Sequence, residues 1–419
     1  MKKRSYHSKK VKLINWEQLS EQSPPHEVVF SIDIAKHKQF GLIMNTDREV
    51  ILQVNWLHPQ ETSQVLEGLN HFKDRLKGIV IEPSGVYGDT LRYQLNQQGY
   101  TVFKINPKRV KDASEVYDGV PSSHDAKAAY LLGRLFWENT CRVWEPESES
   151  QRQLDALTHH YHQHQKQHDK LRNHVEAKVH RHWPELTQSF DSNSITREAL
   201  LTDYGDPALF SSDTEQAFQA IHKASRGKVK AEKVDAFIHA SQESLGIPCL
   251  PEERAYLQAL GAELRHHRLK IKGIRTKLEQ YLDEDPAHKT LLAVTGLIAT
   301  AFMIANNLDP ANYPSAGSYL KAMGLNLKER SSGKHQGKLK ITKRGSSTVR
   351  YYLYFAVMRL IQQDSLMKQW YENKVKRDGG QAKLKALIAV MRKMVKGLWA
   401  ASHHGEVFDS SKLVNITMK

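Results

Sequence analysis

The chain has 419 residues, and 61 lysines and arginines against 46 aspartates and glutamates give it a formal net charge of +15. This length allows two or three domains with at least one large core, and two distant cysteines, Cys141 and Cys249, argue against a disulfide framework. A basic excess of this size favours a polyanionic partner such as nucleic acid, because cations placed against phosphates release bound counterions.

The N-terminal third has the alternating pattern of an α/β domain. Residues 1–26 are polar and basic and are predicted to form a flexible arm. Short apolar runs at 28–32, 40–44 and 50–54 then predict an antiparallel meander, because turn residues separate the last two. The remaining predicted elements are a helix at 60–76, a strand at 78–81, a helix at 86–98, a strand at 101–105 and a helix at about 124–137. The order βββαβαβ predicts a mixed sheet covered by helices over residues 27–145.

The middle third is predicted to be a long helical hairpin over residues 146–284. Gln151–Trp183 is rich in Gln, His, Lys and Arg, and its apolar residues recur about every 3.5 positions, which predicts a solvated helix with a narrow seam. A second long helix, from about Glu252 to Asp283, is expected to return antiparallel, which makes a coiled-coil hairpin with a small helical insertion at about 190–250. The histidines of the first helix are interpreted as part of a polar face rather than as metal ligands.

Residues 285–419 are predicted to form an all-α C-terminal domain. Its longest apolar stretch, Leu291–Ala305, is interpreted as a buried helical hairpin that turns at Gly296 and is too short to cross a bilayer. The basic N-terminus lacks the apolar run of a signal peptide. The expected protein is therefore cytoplasmic, with no membrane association.

Three carboxylates are candidates for a metal site. Asp33 and Glu82 each end a predicted strand, and strand ends of an α/β sheet can converge on one edge. Asp125 begins a predicted helix, where the alternative role is that of an acid stabilised by the helix dipole. Carboxylate oxygens suit one or two Mg²⁺ ions, and such ions can stabilise the attacking and leaving oxygens of a phosphodiester.

A basic loop between about 326 and 346 is the second candidate. A glycine-containing loop with seven cations and one acid suits a phosphate backbone, and a solvated loop is the alternative. A serine next to glycine in such a loop is accessible, and neighbouring cations suit phosphoryl chemistry. The cations are Lys328, Arg330, Lys334, Lys338, Lys340, Lys343 and Arg344.

The carboxylate motifs resemble those of the DEDD transposases of the insertion-sequence-one-ten family, which are related to the Piv-type DNA invertases. The resemblance implies a RuvC-like (RNase H-like) fold and Mg²⁺ bound by four acids. Matching the helix places Asp125 on the third acid and Ala128 on the fourth, whereas a shifted match places Ser122 on the third and Asp125 on the fourth. Either way one acid is missing, which leaves three interpretations open: a weakened metal site, an inactive copy, or replacement by a neighbouring acid such as Asp118. The matching runs are Ile32-Asp33-Ile34-Ala35-Lys36, Glu82-Pro83-Ser84-Gly85-Val86-Tyr87, Ile105-Asn106-Pro107 and His124-Asp125.

The basic loop is similar to the second domain of the same family, in which a serine before glycine bonds covalently to DNA. Ser332, directly before Gly333, matches best, and Ser331 is the alternative nucleophile. Arg350 continues the match and joins the nucleic-acid-binding candidates. The resemblance implies DNA strand cleavage, exchange and rejoining at insertion-sequence ends, guided by a structured noncoding (bridge) RNA in a homo-oligomer, either a dimer or a tetramer.

Two other functions compete with this interpretation. The missing acid favours a catalytically silent nucleic-acid-binding protein. A RuvC-type nuclease or junction resolvase would instead hydrolyse DNA without a serine intermediate. The sequence contains no nucleophile elbow, P-loop or dinucleotide fingerprint, which argues against the enzyme classes that depend on those motifs.

Overall fold

The computed structural model describes residues 8–82, 85–117, 119–120, 124–283, 285, 288–329 and 339–414. The chain divides into two compact units, Met1–Glu147 and Ser148–Lys419.

Seven strands of the first unit form one mixed sheet in the order β1-β4-β3-β2-β5-β6-β7. The strands are β1 Lys9–Lys10, β2 Val28–Asp33, β3 Lys38–Asn45, β4 Val50–Leu57, β5 Leu76–Ile81, β6 Val102–Lys104 and β7 Arg142–Val143. β2, β3 and β4 form the antiparallel meander, while β5 pairs in parallel with both β2 and β6. The prediction of a mixed α/β sheet is confirmed, and the topology is consistent with a RuvC-like domain.

Helices lie against both faces of this sheet. They are α1 Trp16–Gln22, α2 Thr62–Leu69, α3 Asp89–Gln97, α4 Pro107–Ala113 and α5 Asp125–Trp137. Because side chains of a strand alternate between faces, β2 contributes Phe30 and Ile32 to one core and Val29 to the other. α5 packs on the Val29 face, and Gly133 brings it close to the sheet, since a Cβ there would lie 3.2 Å from Met44.

The predicted flexible arm is structured from residue 8 onward, which corrects that part of the expectation. β1 pairs in parallel with β4, and Asn15 caps α1 by accepting a hydrogen bond from the Gln18 amide. Trp16 is only 8% exposed and covers Gly68 of α2, where any Cβ would lie 2.2 Å from the indole. Two buried side chains, Val11 and Trp16, therefore anchor this segment to the core of the sheet.

The second unit is largely helical. α6 Glu149–His182 and α12 Pro251–Asp283 are its two long helices. Three contacts show that they run antiparallel. The start of α6 meets the end of α12 where the Ser150 hydroxyl contacts the Tyr281 hydroxyl. Further along α6, Nδ1 of His164 lies 2.8 Å from Nδ1 of His267, and Nε2 of His174 lies 3.0 Å from the Tyr256 hydroxyl oxygen. The antiparallel hairpin matches the sequence expectation, while its coiled-coil geometry stays a prediction. Shorter helices fill the connection between the two: α7 Pro184–Ser189, α8 Ile195–Asp203, α9 Pro207–Phe210, α10 Thr214–Ser225 and α11 Ala231–Gln242.

Each end of the α6–α12 pair belongs to a different hydrophobic core. At one end, Leu154 and Leu278 pack with the C-terminal helices, and at the other end, Val179 and Leu260 pack with α7–α11. The histidine-rich middle, around His164 and His267, separates the two cores. The C-terminal elements are α13 Lys289–Ala305, α14 Ala316–Ala322, β8 Leu327–Lys328, β9 Lys340–Ile341, α15 Ser347–Gln363, α16 Ser365–Arg377 and α17 Lys383–His404.

α13 contains the predicted turn at Gly296. This residue has φ 75° and ψ 169°, which break the helix into two arms, and a Cβ there would lie 2.3 Å from the Arg359 guanidinium. By length and composition, Lys289–Asn312 is long enough to cross a membrane, which corrects the sequence expectation. Half of this apolar window is buried, and α13 side chains share a core with those of α15 and α17, so the segment serves here as a core helix.

Candidate functional site

The register of the sheet places Asp33 beside Glu82. Ile32 of β2 pairs with Ile81 of the parallel strand β5, so the next residue of each strand emerges at the same edge. Because side chains alternate, Asp33 lies on the face of Val29, and Glu82 lies on the face of Val80. Both carboxylates therefore lie on the face of the sheet that α5 covers.

Asp125 reaches the same edge from the N-terminus of α5. His124 precedes the helix, and its Nδ1 accepts a hydrogen bond of 3.1 Å from the Lys127 amide. Asp125 is the first helical residue, where the positive end of the helix dipole favours a negative charge. The helix dipole alone therefore explains an acid at this position, which is the alternative role that the sequence analysis gave to Asp125.

These three carboxylates line one open cleft of about 530 Å³. The structure therefore brings together Asp33, Glu82 and Asp125, and their catalytic roles stay a prediction. α4 and the residues that follow it supply much of the rest of the lining. The remaining lining residues are Pro107, Val110, Lys111, Ser114, Glu115, His124, Lys127, Ala128 and Leu131.

The electrostatics of the cleft favour a cation. Burial, followed by the negative charges of Asp125 and Glu82, raises the pKa of Asp33 to about 7. Burial also raises the pKa of Glu82. Carboxylates held together in a partly buried site repel each other until a proton or a cation compensates them. Since all three donors are hard oxygens, the residues present fit a Mg²⁺ ion.

The free energy of unfolding of the metal-free protein is expected to fall as the pH rises from about 4 to about 7. The folded-state pKa of Asp33 is raised, so its ionisation disfavours the folded state between about pH 4 and pH 7, by at most about 4 kcal/mol before solvent screening. In EDTA, the melting temperature of Asp33→Asn should exceed that of the unchanged protein by a margin that grows from about pH 5 to about pH 7. A margin that stays constant over this range would contradict the raised pKa.

The expected fourth acid is absent from the position one turn beyond Asp125. Ala128 occupies that position and lines the cleft. Ser122 and Asp118, which the alternative matches involve, lie outside the described residues. Glu115 lines the same cleft and was not predicted, because its placement depends on how α4 packs against α5. Lys111, one helical turn before Glu115, adds a cation that sequence reasoning also missed.

The predicted serine loop connects two short strands. β8 and β9 pair antiparallel, with Leu327 opposite Ile341 and Lys328 opposite Lys340. Asn326 is bonded to Thr342 beside this ribbon, through a backbone hydrogen bond of 2.9 Å. The candidates that lie outside the described residues are Ser331, Ser332, Arg330, Lys334 and Lys338. For these five, the sequence interpretation stands as a prediction.

The other basic candidates have two kinds of environment. Lys328, Lys340, Lys343 and Arg344 are exposed on the ribbon and the turn that follows it. The guanidinium of Arg350 instead donates hydrogen bonds of 2.9 to 3.3 Å to the backbone carbonyls of Met323, Lys343, Arg344 and Gly345. Burial lowers its pKa. These contacts make Arg350 a residue that positions the turn, and its contact with nucleic acid stays a prediction.

Comparison with known proteins finds two family domains in this chain. Residues 30–184 match the DEDD-type transposase model of IS110, and residues 291–372 match the model described as "Transposase IS116/IS110/IS902 family". Together the two matches cover more than half of the chain, and they contain both the carboxylate cleft and the serine loop. A curated relative, "Transposase for insertion sequence element IS1328" from Yersinia enterocolitica, is 25% identical over 254 residues, which cover 53% of this chain and 75% of the relative.

Proposed function

We propose, since this chain belongs to the IS110 family of transposases, that it cleaves, exchanges and rejoins DNA strands at the ends of an insertion sequence. The observation that carries the proposal is the convergence of Asp33, Glu82 and Asp125 on one cleft at the sheet edge. Strand-end carboxylates at a common edge are suited to binding a phosphodiester through a divalent cation.

Asp33, Glu82 and Asp125 would hold Mg²⁺ in this cleft. When bound, the ion would neutralise negative charge on the scissile phosphate. Lys111 lines the same cleft and would contact a DNA phosphate, which would orient the strand without reading its sequence. The ammonium of Lys127 is instead buried and donates a hydrogen bond to the Val120 carbonyl.

Ser332 would be the nucleophile, with Ser331 as the alternative. The hydroxyl oxygen would attack phosphorus, the bond from phosphorus to one deoxyribose oxygen would break, and the serine proton would leave with the displaced hydroxyl or with solvent. In rejoining, a hydroxyl of another strand would attack the same phosphorus and restore the serine hydroxyl. The support is the serine–glycine sequence within residues 291–372 and the exposed cations at the base of its loop.

The proposal includes a structured guide RNA and a homo-oligomer of two or four chains in the cytoplasm. The net charge of +15 suits a load of RNA and DNA. The exposed cations of the ribbon, including Lys328 and Lys340, offer positions for phosphate contact.

The competing function, a catalytically silent nucleic-acid-binding protein, is favoured by Ala128, which places a methyl group where the family match expects an acid.

The test begins with sequencing the RNA that copurifies with the protein. The complex is then incubated with donor and target plasmids over a Mg²⁺ titration. Mg²⁺-dependent strand exchange that RNase abolishes is expected. DNA binding without processing at any Mg²⁺ concentration would support the silent function, and hydrolysis without exchange would support a nuclease.

A further inference from the structure

A second group of metal-ligating side chains lies in the helical unit. One ligand atom from each of His182, Cys249 and Glu253 lies within 4.8 Å of the other two. His182 is the last residue of α6, Cys249 precedes α12, and Glu253 lies in the first turn of α12. The three residues therefore meet where the chain enters and leaves the insertion α7–α11.

The imidazole of His182 is oriented for ligation. Its side chain is 5% exposed, and Nδ1 lies 2.9 Å from the carbonyl oxygen of Ile247. Because a carbonyl can only accept, Nδ1 carries the hydrogen, and the lone pair of the neutral ring is on Nε2. Nε2 lies 3.7 Å from Oε1 of Glu253. A histidine that donates its other N–H to a backbone carbonyl is the usual arrangement around a bound metal.

The loop that carries Cys249 is held in place by contacts that need no metal. The Ile247 amide donates to the Arg181 carbonyl at 3.0 Å, and the Leu250 amide donates to Oε2 of Glu253 at 3.0 Å. Gly246 packs so closely on the end of α6 that a Cβ would lie 2.1 Å from the His182 carbonyl oxygen. The donor groups are thus positioned before any ion binds.

We propose that His182 Nε2, Cys249 Sγ and one carboxylate oxygen of Glu253 bind a Zn²⁺ ion. One nitrogen, one sulfur and one oxygen donor match the preferences of Zn²⁺, whereas Mg²⁺ prefers oxygen alone. Zinc bond lengths in a tetrahedron imply ligand separations of about 3.3 to 3.5 Å, close to the spacing of His182 and Glu253. On binding, the Cys249 thiol gives its proton to the buffer and the thiolate becomes the ligand.

Water would complete the coordination of the ion. A cavity of about 90 Å³ borders two of the three ligands, His182 and Glu253, and its other lining residues are Lys178, Arg181, Tyr256 and Leu257. This volume accommodates a water molecule beside His182 and Glu253. Zinc would then tie the last residue of α6 to the start of α12 and close the insertion at its base, independently of any DNA chemistry.

The test is a Co²⁺ and Zn²⁺ titration of the full chain after chelator treatment. The unchanged protein should bind one Co²⁺ with a thiolate-to-cobalt charge-transfer band, and Zn²⁺ should displace that ion and raise the melting temperature. Cys249→Ser should lose the band and bind Zn²⁺ more than about 100-fold more weakly. This loss of affinity exceeds the one expected when only a hydrogen-bond partner of a metal ligand is removed. Cys141→Ser, which changes the other cysteine of the chain, should retain both properties.

The charge-transfer band also separates this site from the histidine cluster around His164 and His267, which contains no thiol. A full band in Cys249→Ser, or no charge-transfer band in the folded unchanged chain at saturating Co²⁺, would overturn the proposal. If Cys249→Ser does not fold, Glu253→Gln takes its place, because a glutamine oxygen can still accept from the Leu250 amide. Its Zn²⁺ affinity should fall at least about tenfold, and an unchanged affinity would equally overturn the proposal.

Discussion

Replacing Asp33 with asparagine is expected to abolish DNA strand cleavage without unfolding the protein. The negative charges of Glu82 and Asp125 both act on the Asp33 carboxylate, so Asp33 is central to the proposed metal site. The metal is expected to contribute several kcal/mol of transition-state stabilisation, and the cleavage rate at saturating Mg²⁺ should therefore fall at least about 1000-fold. The measurement is single-turnover cleavage of labelled donor DNA, with the melting temperature recorded in parallel.

Asp112→Asn is the matched control in the same unit. Asp112 is on α4, where its exposed carboxylate pairs with Lys108 rather than lining the cleft. This variant should cleave DNA within about twofold of the unchanged rate, because an exposed ion pair contributes little. If Asp33→Asn bound DNA normally and cleaved it within tenfold of the unchanged rate, the carboxylate cluster would not be the metal site.

Replacing Ser332 with alanine is expected to eliminate the covalent protein–DNA intermediate. Alanine has no hydroxyl to attack phosphorus, so cleavage should fall at least about 1000-fold while DNA binding stays within about twofold. The adduct can be detected as labelled DNA that migrates with the protein on a denaturing gel and returns to free DNA after proteolysis.

Ser331→Ala provides the adjacent control. It removes the neighbouring hydroxyl and leaves Ser332 next to Gly333, so the adduct should still form. An adduct that persists in Ser332→Ala and disappears in Ser331→Ala would show that Ser331 is the nucleophile. Strand exchange in the double variant would show that the reaction needs neither serine.

Local sequence patterns were sufficient to predict the strands and helices of the first unit and the residues at which those strands end. β2 to β4 and α5 follow from apolar runs and turn residues that are neighbours in sequence, so Asp33, Glu82 and Asp125 could be located on their elements. Glu115 and Lys111 could not be predicted as cleft residues, because their position depends on tertiary packing of α4.

Other features depend on contacts between residues distant in sequence. The structured arm requires Trp16 to meet Gly68, and the zinc ligands require His182 to meet Cys249 across the whole insertion. Arg350 matched a family pattern by position, but its hydrogen bonds to four carbonyls follow from the turn that precedes α15. Among the described residues, four of the predicted loop cations are exposed: Lys328, Lys340, Lys343 and Arg344. The strands β8 and β9 could not be predicted, because two residues are too short to leave a periodic signal.

The division of the α6–α12 pair between two cores has a consequence for how this gene can change. From Tyr161 to Val175, about 20 Å of helix separates the core of the C-terminal helices from that of the insertion. Because α7–α11 pack among themselves and on the distal ends of α6 and α12, a duplication, deletion or exchange within this segment leaves the other core with its full set of contacts. Divergence in length among related sequences is therefore expected to concentrate there.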